Sequence, residues 1–231
     1  MPTPLRRAEL PRRSLLTGGA RAIPTDLRAF VTREVEVVLS DALTVQLREV
    51  HFQLRPDHWA HIWPCAVAMS RWLLEATPHD WPARARELGC GLGLVTLTLA
   101  HLGIAIEGTD REPIALAFAR DNALRNAITG VTVRHLEWTA MHGAPTALMV
   151  ASDVLYERDS ELRLYELLQA TGTLLPLGRV LLGGPVERSD QLQRLVERLC
   201  ASGYVDEPAM RVVEWQGRTQ VIAIHLLRSP D

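Results

Sequence analysis

The sequence has no lysine, few cysteines and no long apolar run. All 25 basic residues are arginine, a bias that we attribute to coding composition rather than to chemistry. The three cysteines, Cys65, Cys90 and Cys200, lie far apart and are odd in number. They make neither a disulfide framework nor a zinc cluster, which favours a reducing cytoplasm. His58 and His61 form the one close histidine pair, beside two tryptophans, and no metal site is expected there.

Charge and hydropathy disfavour two further classes of partner. The formal net charge is −2, so nothing global favours a polyanion, and no stable nucleic-acid partner is expected. No apolar run approaches the ~18 residues of a membrane span, so no membrane partner is expected. Arg12 and Arg13 give the N-terminus a twin-arginine character, but the apolar segment 15–20 is shorter than the ~7–15 residues of a signal core. We interpret residues 1–25 as a basic, disordered arm of a cytoplasmic protein.

The remaining chain, within a total of 231 residues, suits one α/β domain with a sizeable core. Residues 26–82 are predicted to form an accessory element with a hairpin over 34–39 and 45–54, a Trp-Pro segment and a helix over 66–75. From residue 83 onward, strand and helix patterns alternate. This alternation predicts a doubly wound α/β fold with a seven-strand sheet over 83–231.

Individual elements of that domain follow from the pattern. Strands are predicted over 104–106, 131–136, 147–152, 179–184, 210–215 and 219–228, the last two as an antiparallel pair. Helices are predicted over 94–102, 112–126, 159–174 and 189–201, and a short helix is expected to begin at 26–30.

The stretch that ends at Asp110 carries the strongest functional signal. Glu87 is followed by Gly89, Gly91 and Gly93, between an extended run and an apolar helix. Glycines let the backbone approach a ligand, and the helix start offers unpaired N–H groups. Asp110 lies 19 positions after Gly91, about where nucleotide-binding α/β units place a carboxylate for a ribose hydroxyl.

Two features of this stretch need explanation. A dinucleotide loop, G-x-G-x-x-G, would have a glycine at position 94, which is leucine here, so a dinucleotide is disfavoured. Arg84 and Arg86 are unusual for a central parallel strand, because such strands typically read as continuous apolar runs.

Polar and aromatic residues follow successive predicted strands. Ligands of open α/β sheets bind at the carboxyl ends of the strands, so these side chains are expected to share one site: Glu87, Asp110, Glu137, Trp138, Asp153 and Tyr156. Trp138 either stacks on an adenine or packs in the core. Cys90 is expected to be a small residue in a tight turn rather than a nucleophile.

Four motifs together resemble the lysine methyltransferase-like group of class I, seven-strand S-adenosylmethionine-dependent methyltransferases. They are W-A-x-x-W-P at 59–64, E-x-G-x-G-x-G at 87–93, L-x-W at 136–138 and D-x-x-Y at 153–156. Over about residues 45–228, the chain is most similar to the electron-transfer-flavoprotein β-subunit lysine methyltransferases and their bacterial relatives. It departs from them in Glu137, where the family has aspartate, and in Cys65-Ala66, where the closest relatives have two glycines.

The resemblance implies a site for S-adenosylmethionine. Trp63 would contact the donor from the N-terminal side, and Gly89 and Gly91 would approach its methionine part. Asp110 would hold the ribose, and Trp138 would flank the adenine. Further residues that the resemblance places at the donor are Glu87, Cys90, Gly93, Glu137 and Ser152.

The resemblance also implies a protein substrate that presents a lysine. Asp153 and Tyr156 would be the catalytic residues, the first bordering the transfer site together with Ser152 and the second lining the substrate channel. A lysine ammonium with a pKa of ~10.4 cannot attack a methyl group, so a pocket must desolvate it and lower that pKa. We expect Asp153 and Tyr156 to orient the amine and to accept or relay its proton.

Three other functions compete with this interpretation. A small-molecule N- or O-methyltransferase would use the same donor site. A non-catalytic module that keeps the fold would have no need for the intact glycine loop and Asp110. A dinucleotide oxidoreductase is disfavoured by Leu94.

Overall fold

Strands and helices alternate from Arg84 onward in the structure, a computed structural model that describes residues 23–24, 26–51, 57–75, 81–138, 144–170 and 172–230. The predicted arm, 1–25, lies almost wholly outside the described residues. No helix in the described part of the chain is both long and apolar enough to cross a membrane.

The N-terminal hairpin is present. Strands β1 (Thr32–Ser40) and β2 (Leu43–Val50) pair antiparallel, with Val37 opposite Val45. Their buried side chains alternate along each strand, because successive residues of a strand face opposite sides. Residues 28–30 form a turn and bend rather than the start of the predicted helix. Helix α1 (Pro64–Glu75) follows and begins before the predicted start at 66, with proline at its first position, where a missing N–H costs nothing.

Seven strands form the main sheet, in the order β5-β4-β3-β6-β7-β9-β8. The first five of these strands run parallel, and β9 pairs antiparallel with both β7 and β8. Their bounds are β3 Arg84–Leu88, β4 Ala105–Asp110, β5 Val131–His135, β6 Thr146–Ser152, β7 Leu174–Pro185, β8 Val205–Trp215 and β9 Arg218–Arg228. The predicted doubly wound α/β fold is confirmed.

Four helices connect these strands: α2 Leu94–His101, α3 Pro113–Arg125, α4 Ser160–Gln169 and α5 Asp190–Ala201. Helix α4 ends five residues before the predicted end at 174. Ala170 already has extended dihedrals and Gly172 has a φ of 81°, so the chain turns and enters β7. The prediction missed this stop because the apolar spacing continues through it.

A buried asparagine joins the hairpin to the glycine loop. Asn122 of α3 has no exposed surface. Its Oδ1 accepts the Arg48 N–H of β2 at 2.7 Å, and its Nδ2 donates to the Leu92 carbonyl at 2.9 Å. A buried amide whose hydrogen bonds are satisfied in this way fixes how the elements around it pack. Asn122 thus links the hairpin to the glycine loop.

The polar first strand of the domain has a specific partner. Arg86 Nε donates to Glu107 Oε2 at 2.6 Å, from β3 to the adjacent β4. Arg134 of β5 donates to both oxygens of the same carboxylate, at 2.7 and 3.0 Å. The buried Arg86 is therefore one member of a charged row across three strands, which compensates for the cost of burying its charge.

Candidate active site

A cavity of about 1160 Å³ opens at the carboxyl ends of β3, β4 and β6. The accessory segment 57–63 and the start of α1 cover one side of it. Eleven of the twelve residues predicted for the site line this cavity: Trp63, Glu87, Gly89, Cys90, Gly91, Asp110, Glu137, Trp138, Ser152, Asp153 and Tyr156.

Gly93 is the exception among the predicted site residues. It does not line the cavity but precedes α2 with a φ of 89°, and a Cβ at this position would lie 3.0 Å from Ala119 Cβ on α3. Its small size lets α2 and α3 pack closely. Binding of the donor by Gly93 remains a prediction.

The other two loop glycines face the cavity with left-handed backbones. Gly89 has a φ of 67° and Gly91 a φ of 51°, a region that costs glycine little. A Cβ on Gly89 would lie 2.8 Å from Val154 Cγ1. Cys90 between them is buried and its N–H donates to the Thr109 carbonyl at 2.9 Å. Burial raises the pKa of its thiol well above the ordinary value, which fits a turn residue rather than a nucleophile.

Asp110 lies at the end of β4 with both carboxylate oxygens engaged. Oδ2 accepts the Gly91 N–H at 3.0 Å, and Oδ1 accepts the Glu112 N–H at 2.9 Å. Burial raises its pKa to about 6, although these two N–H groups oppose the rise. An ionised carboxylate has about four lone-pair positions, so two remain to accept hydrogen bonds from a ligand in the cavity.

Glu87 is a second buried acid on the cavity wall, 2% exposed. The Thr96 hydroxyl of α2 donates to its Oε2. Burial raises the pKa of Glu87 to about 8, and the nearby Asp110 adds to the rise. The protonated form therefore predominates at neutral pH, and a cation bound nearby would favour ionisation.

The accessory segment contributes aromatic rings to the cavity. Trp63 lines it and donates its indole N–H to the His58 carbonyl at 2.6 Å. Trp59 packs on Phe118 of α3, with ring centroids 5.8 Å apart, and on Phe30, at 6.3 Å. Aromatic packing of this kind fixes the segment over the cavity.

One buried carboxylate holds this segment from behind. Glu49 of β2 is 1% exposed, accepts the Ile62 N–H at 3.1 Å and accepts Arg33 Nε at 2.9 Å. His61 Nδ1 lies 3.5 Å from it. Burial alone would raise the pKa of Glu49, but these partners outweigh it and lower the pKa.

Asp153 and Tyr156 follow β6 and line the same cavity. Asp153 has a φ of 52°, is 14% exposed at its side chain, and accepts Arg188 Nη2 at 3.0 Å. Burial raises its pKa and Arg188 opposes the rise. Tyr156 stacks on His58 with ring centroids 4.4 Å apart. This contact closes the cavity between the accessory segment and the β6–α4 loop.

Ser152 and the Leu136–Trp138 stretch complete the walls. The Ser152 hydroxyl donates to Cys65 Sγ at 3.4 Å. The Leu136 N–H donates to the Asp110 carbonyl at 3.0 Å, which fixes the stretch beside the acid. Trp138 lines the cavity and also packs against the core around β6 and α5, and its stacking on an adenine remains a prediction. Residues 139–143 lie outside the described part of the chain.

Three residues of the site were missed by the sequence reasoning. Arg188 contacts Asp153, His58 stacks on Tyr156, and Arg111 forms an ion pair with Glu157 at 2.5 Å on the cavity rim. No spacing pattern links the members of these pairs. A signal existed only for His58, since it precedes the Trp-Pro segment that the resemblance had already placed over the donor.

The described residues hold no group of three or more metal-ligating side chains. The expectation of a site without metal remains a prediction.

Comparison with known sequences identifies the family of this site. The family model described as lysine methyltransferase matches residues 45–182. The chain belongs to the lysine methyltransferase family. The resemblance given by its four motifs is therefore confirmed.

Named relatives of the family are similar at modest identity. Mouse protein N-lysine methyltransferase METTL21A is 31% identical over 147 residues, covering 60% of this chain and 65% of the relative. The electron transfer flavoprotein beta subunit lysine methyltransferase of Xenopus laevis is 27% identical over 155 residues, with 60% and 62% covered. Human histone-arginine methyltransferase METTL23 is 27% identical over 105 residues, with 42% and 55% covered. The chain thus spans less than two thirds of the length of these curated relatives.

Solved structures support the fold of the family. N-methyltransferase NodS from Bradyrhizobium japonicum, in complex with S-adenosylhomocysteine, matches with a TM-score of 0.56 at 14% identity, covering 71% of this chain and 86% of NodS. Magnesium protoporphyrin IX methyltransferase from Synechocystis, with bound S-adenosylmethionine, matches with a TM-score of 0.54 at 17% identity, covering 71% and 78%. At these identities the likeness establishes the fold.

Proposed function

We propose that this member of the lysine methyltransferase family transfers a methyl group from S-adenosylmethionine to a lysine of a protein substrate. The observation that carries the proposal is one cavity lined both by the glycine loop with Asp110, the donor end, and by Asp153 with Tyr156, the acceptor end beside it. A donor bound by the glycine loop and Asp110 would present its methyl group toward Asp153 and Tyr156. The named relatives support the choice of a protein lysine as acceptor.

The residues of the donor end fit S-adenosylmethionine. The methionine part can approach the backbone of Gly89 and Gly91 closely, because these left-handed glycines line the cavity without a Cβ. Asp110 accepts from the ribose hydroxyls with its remaining lone pairs. Glu87 and Ser152 bound the methionine part, Cys90 forms the turn, and three residues flank the adenine or cover the donor: Trp63, Glu137 and Trp138.

The chemistry at the acceptor end is an in-line displacement. S-adenosylmethionine supplies a methyl group on a positively charged sulfur. The chain's own residues must exclude water, hold the amine in line and favour its neutral form. Asp153 accepts a hydrogen bond from the amine, and Tyr156, stacked on His58, walls the channel through which the lysine side chain reaches the methyl group.

The organisation of the chain follows the same proposal. Residues 83–231 act as the catalytic domain, and residues 26–82 act as an accessory element that covers the donor. The arm, 1–25, takes no assigned part in the chemistry. We place the protein in the cytoplasm, with protein substrates and neither nucleic acid nor membrane as a stable partner.

The test is transfer of labelled methyl groups from S-adenosylmethionine to proteins of a cell lysate, followed by amino-acid analysis. Because the chain contains no lysine, labelled methyl-lysine can only come from another protein. Label in methyl-lysine supports the proposal. Label in methyl-arginine would show that arginine, rather than lysine, is the acceptor. Label confined to small molecules would support a small-molecule methyltransferase.

Two variants locate the chemistry in the cavity. Asp153→Asn and Tyr156→Phe are each expected to lower turnover about 100-fold or more, since positioned groups of this kind contribute ~10²–10⁴ to rate. Both should bind S-adenosylhomocysteine as the wild type does, measured by calorimetry. Wild-type turnover in both variants would remove Asp153 and Tyr156 from the mechanism.

A further inference from the structure

We propose that Arg188 is a positioning residue that holds the Asp153 carboxylate toward the acceptor end of the cavity and keeps it negatively charged. This inference rests on the proposed methyl transfer and adds a residue that no sequence motif indicates. It concerns a side chain from a different part of the fold, brought to the site by the pairing of β6 with β7.

The backbone brings the two side chains together. Asp153 follows β6 and Arg188 ends the short 3-10 helix 186–188 after β7, and these strands are parallel neighbours. The Asp153 N–H donates to the Gly183 carbonyl at 2.8 Å, which ties its loop to β7. Gln220 of β9 donates to Glu187 at 3.3 Å, which ties the 3-10 helix to the sheet. Arg188 therefore approaches from a supported element.

The contact leaves the carboxylate able to serve a second partner. Arg188 Nη2 donates to Oδ2 of Asp153 at 3.0 Å. A carboxylate can accept through both oxygens, so Oδ1 can accept from an acceptor amine while Oδ2 remains bound to the guanidinium. The two hydrogen bonds would then fix the plane of the carboxylate.

The positive charge of Arg188 favours the ionised form of Asp153. Asp153 is only 14% exposed at its side chain, and burial favours the neutral acid, raising its pKa. Arg188 and, to a lesser extent, His58 across the cavity oppose that rise. The other titratable groups that face Asp153 are the Cys65 thiol of α1 and the Tyr156 phenol of its own loop. Arg188 is the strongest influence among them that favours the charged form.

The reaction needs the charged form. In the transfer, a bond forms between the amine nitrogen and the methyl carbon, the carbon–sulfur bond breaks, and its electron pair stays on sulfur. Positive charge moves from sulfur to nitrogen, so a negative carboxylate beside the nitrogen stabilises the transition state. The proton in excess on the methylated nitrogen then leaves to solvent or through Asp153.

A matched ion pair in the same protein provides the control. Arg194 of α5 contacts Glu161 of α4 at 3.2 Å, and the side chains are 50% and 13% exposed. Arg188 and Asp153 have almost the same values, 50% and 14%. Arg194 is absent from the cavity lining, whereas Arg188 is part of it. Arg188→Gln and Arg194→Gln therefore remove equivalent guanidinium groups, only one of which faces the acceptor.

The experiment combines two titrations on the full chain. Carbon-13 NMR of labelled aspartate carboxyl groups, with the Asp153 signal assigned by Asp153→Asn, gives the midpoint of Asp153 in each variant. The pH profile of kcat/KM for methyl transfer gives the acid limb, which is the pH at which activity falls on the acid side. In Arg188→Gln we expect this pH and the Asp153 midpoint both to rise by about one unit or more, the size expected when an opposite charge is removed from a carboxylate. Arg188→Lys should restore part of the shift.

The outcomes separate the inference from the proposed function. An Asp153 midpoint that is unchanged in Arg188→Gln, or that moves equally in Arg194→Gln, overturns the inference whether or not the protein transfers methyl groups. A shifted Asp153 midpoint with an unshifted acid limb of kcat/KM also overturns the inference, because the charge of Asp153 would then have no effect on methyl transfer. Absence of methyl transfer by the wild type overturns the proposed function and, with it, the role of Arg188 in the reaction.

Discussion

Asp110 and Gly91 are joined by a hydrogen bond of 3.0 Å from the glycine N–H to the carboxylate. The bond connects the end of β4 to the loop that follows β3, so the acid and the loop take up one arrangement rather than two. Glu112, which precedes α3, donates its N–H to the other oxygen at 2.9 Å. Two backbone N–H groups thereby hold the Asp110 carboxylate in place at the donor end of the cavity.

We expect Asp110→Asn to weaken binding of S-adenosylhomocysteine at least about tenfold. The amide has one oxygen in place of two, so a ribose hydroxyl or a backbone N–H loses its acceptor, and a hydrogen bond to a charged group contributes ~1.5–3 kcal/mol. Calorimetry at pH 7.5 measures the change, with Glu214→Gln on the exposed side of β8 as control. In the wild type, affinity should fall as the pH drops through about 6, where Asp110 takes up a proton. Equal affinity in the wild type and Asp110→Asn would rule out the ribose contact.

Glu87 should make donor binding release protons. Its pKa of about 8 leaves it mostly protonated at pH 7, and the positively charged S-adenosylmethionine would favour its ionisation. Calorimetry in buffers of different ionisation enthalpy measures the release, which should approach zero at pH 9.5 and in Glu87→Gln. S-adenosylhomocysteine lacks the sulfonium charge and should release fewer protons. The same binding enthalpy in every buffer at pH 7 would contradict this account of Glu87.

Gly89→Ala should reduce donor affinity about 5- to 30-fold, equivalent to ~1–2 kcal/mol. Its φ of 67° strains any other residue, and the new Cβ would meet Val154 Cγ1 at 2.8 Å, so the loop must shift. Gly103→Ala is the control, because Gly103 has a φ of 82° but nothing within 4 Å of the added Cβ. In urea unfolding, Gly103→Ala should lose the stability that backbone strain alone costs, and Gly89→Ala should lose more because of the contact with Val154. A parallel loss of affinity in Gly103→Ala would mean that backbone strain alone, rather than the position at the cavity, accounts for the effect.

Glu49→Gln should lower the free energy of unfolding by ~2 kcal/mol at pH 7, because it weakens the hydrogen bonds of a buried charge. The folded pKa of Glu49 lies below its ordinary 4.5. Its stabilising contribution is thus complete above 4.5 and is lost as the pH falls through the folded value. Urea unfolding at pH 7 and pH 3 should show a difference between wild type and variant that narrows at the lower pH. Glu36→Gln on the exposed face of the same hairpin should change stability by less than ~0.5 kcal/mol, and an equally small effect of Glu49→Gln would contradict the anchoring role.

Local spacing predicts that the glycine loop and Asp110 lie at one cavity, as the structure shows. The turn at Gly89 and Gly91 needs residues without a Cβ, and the acid at 110 must end the next strand. Both features can therefore be recognised within a stretch of 24 residues. Gly93 shares this spacing but does not line the cavity. Its constraint comes from Ala119 on a neighbouring helix, and a sequence does not show which side of a loop a helix packs against.

The acceptor end depends on contacts between distant segments. Arg188 reaches Asp153 only because β7 lies beside β6. His58 reaches Tyr156 only because the accessory segment covers the cavity at the carboxyl ends of the strands. Strand β8 was predicted from 210 but begins at Val205. Pro208 obscured its start, although an edge strand that pairs only with β9 tolerates a missing N–H donor.

The charged row of Arg86, Glu107 and Arg134 constrains how the sheet can assemble. A strand that slipped by one residue would turn Arg86 to the opposite face of the sheet, away from Glu107, and would leave a guanidinium buried without its carboxylate. Misaligned pairings of β3, β4 and β5 are thus less stable than they would be in a sheet whose strands carried only valine and isoleucine. The ion pairs of β3 thus favour the observed register, in which Leu88, just before the glycine loop, lies opposite Thr109, just before Asp110.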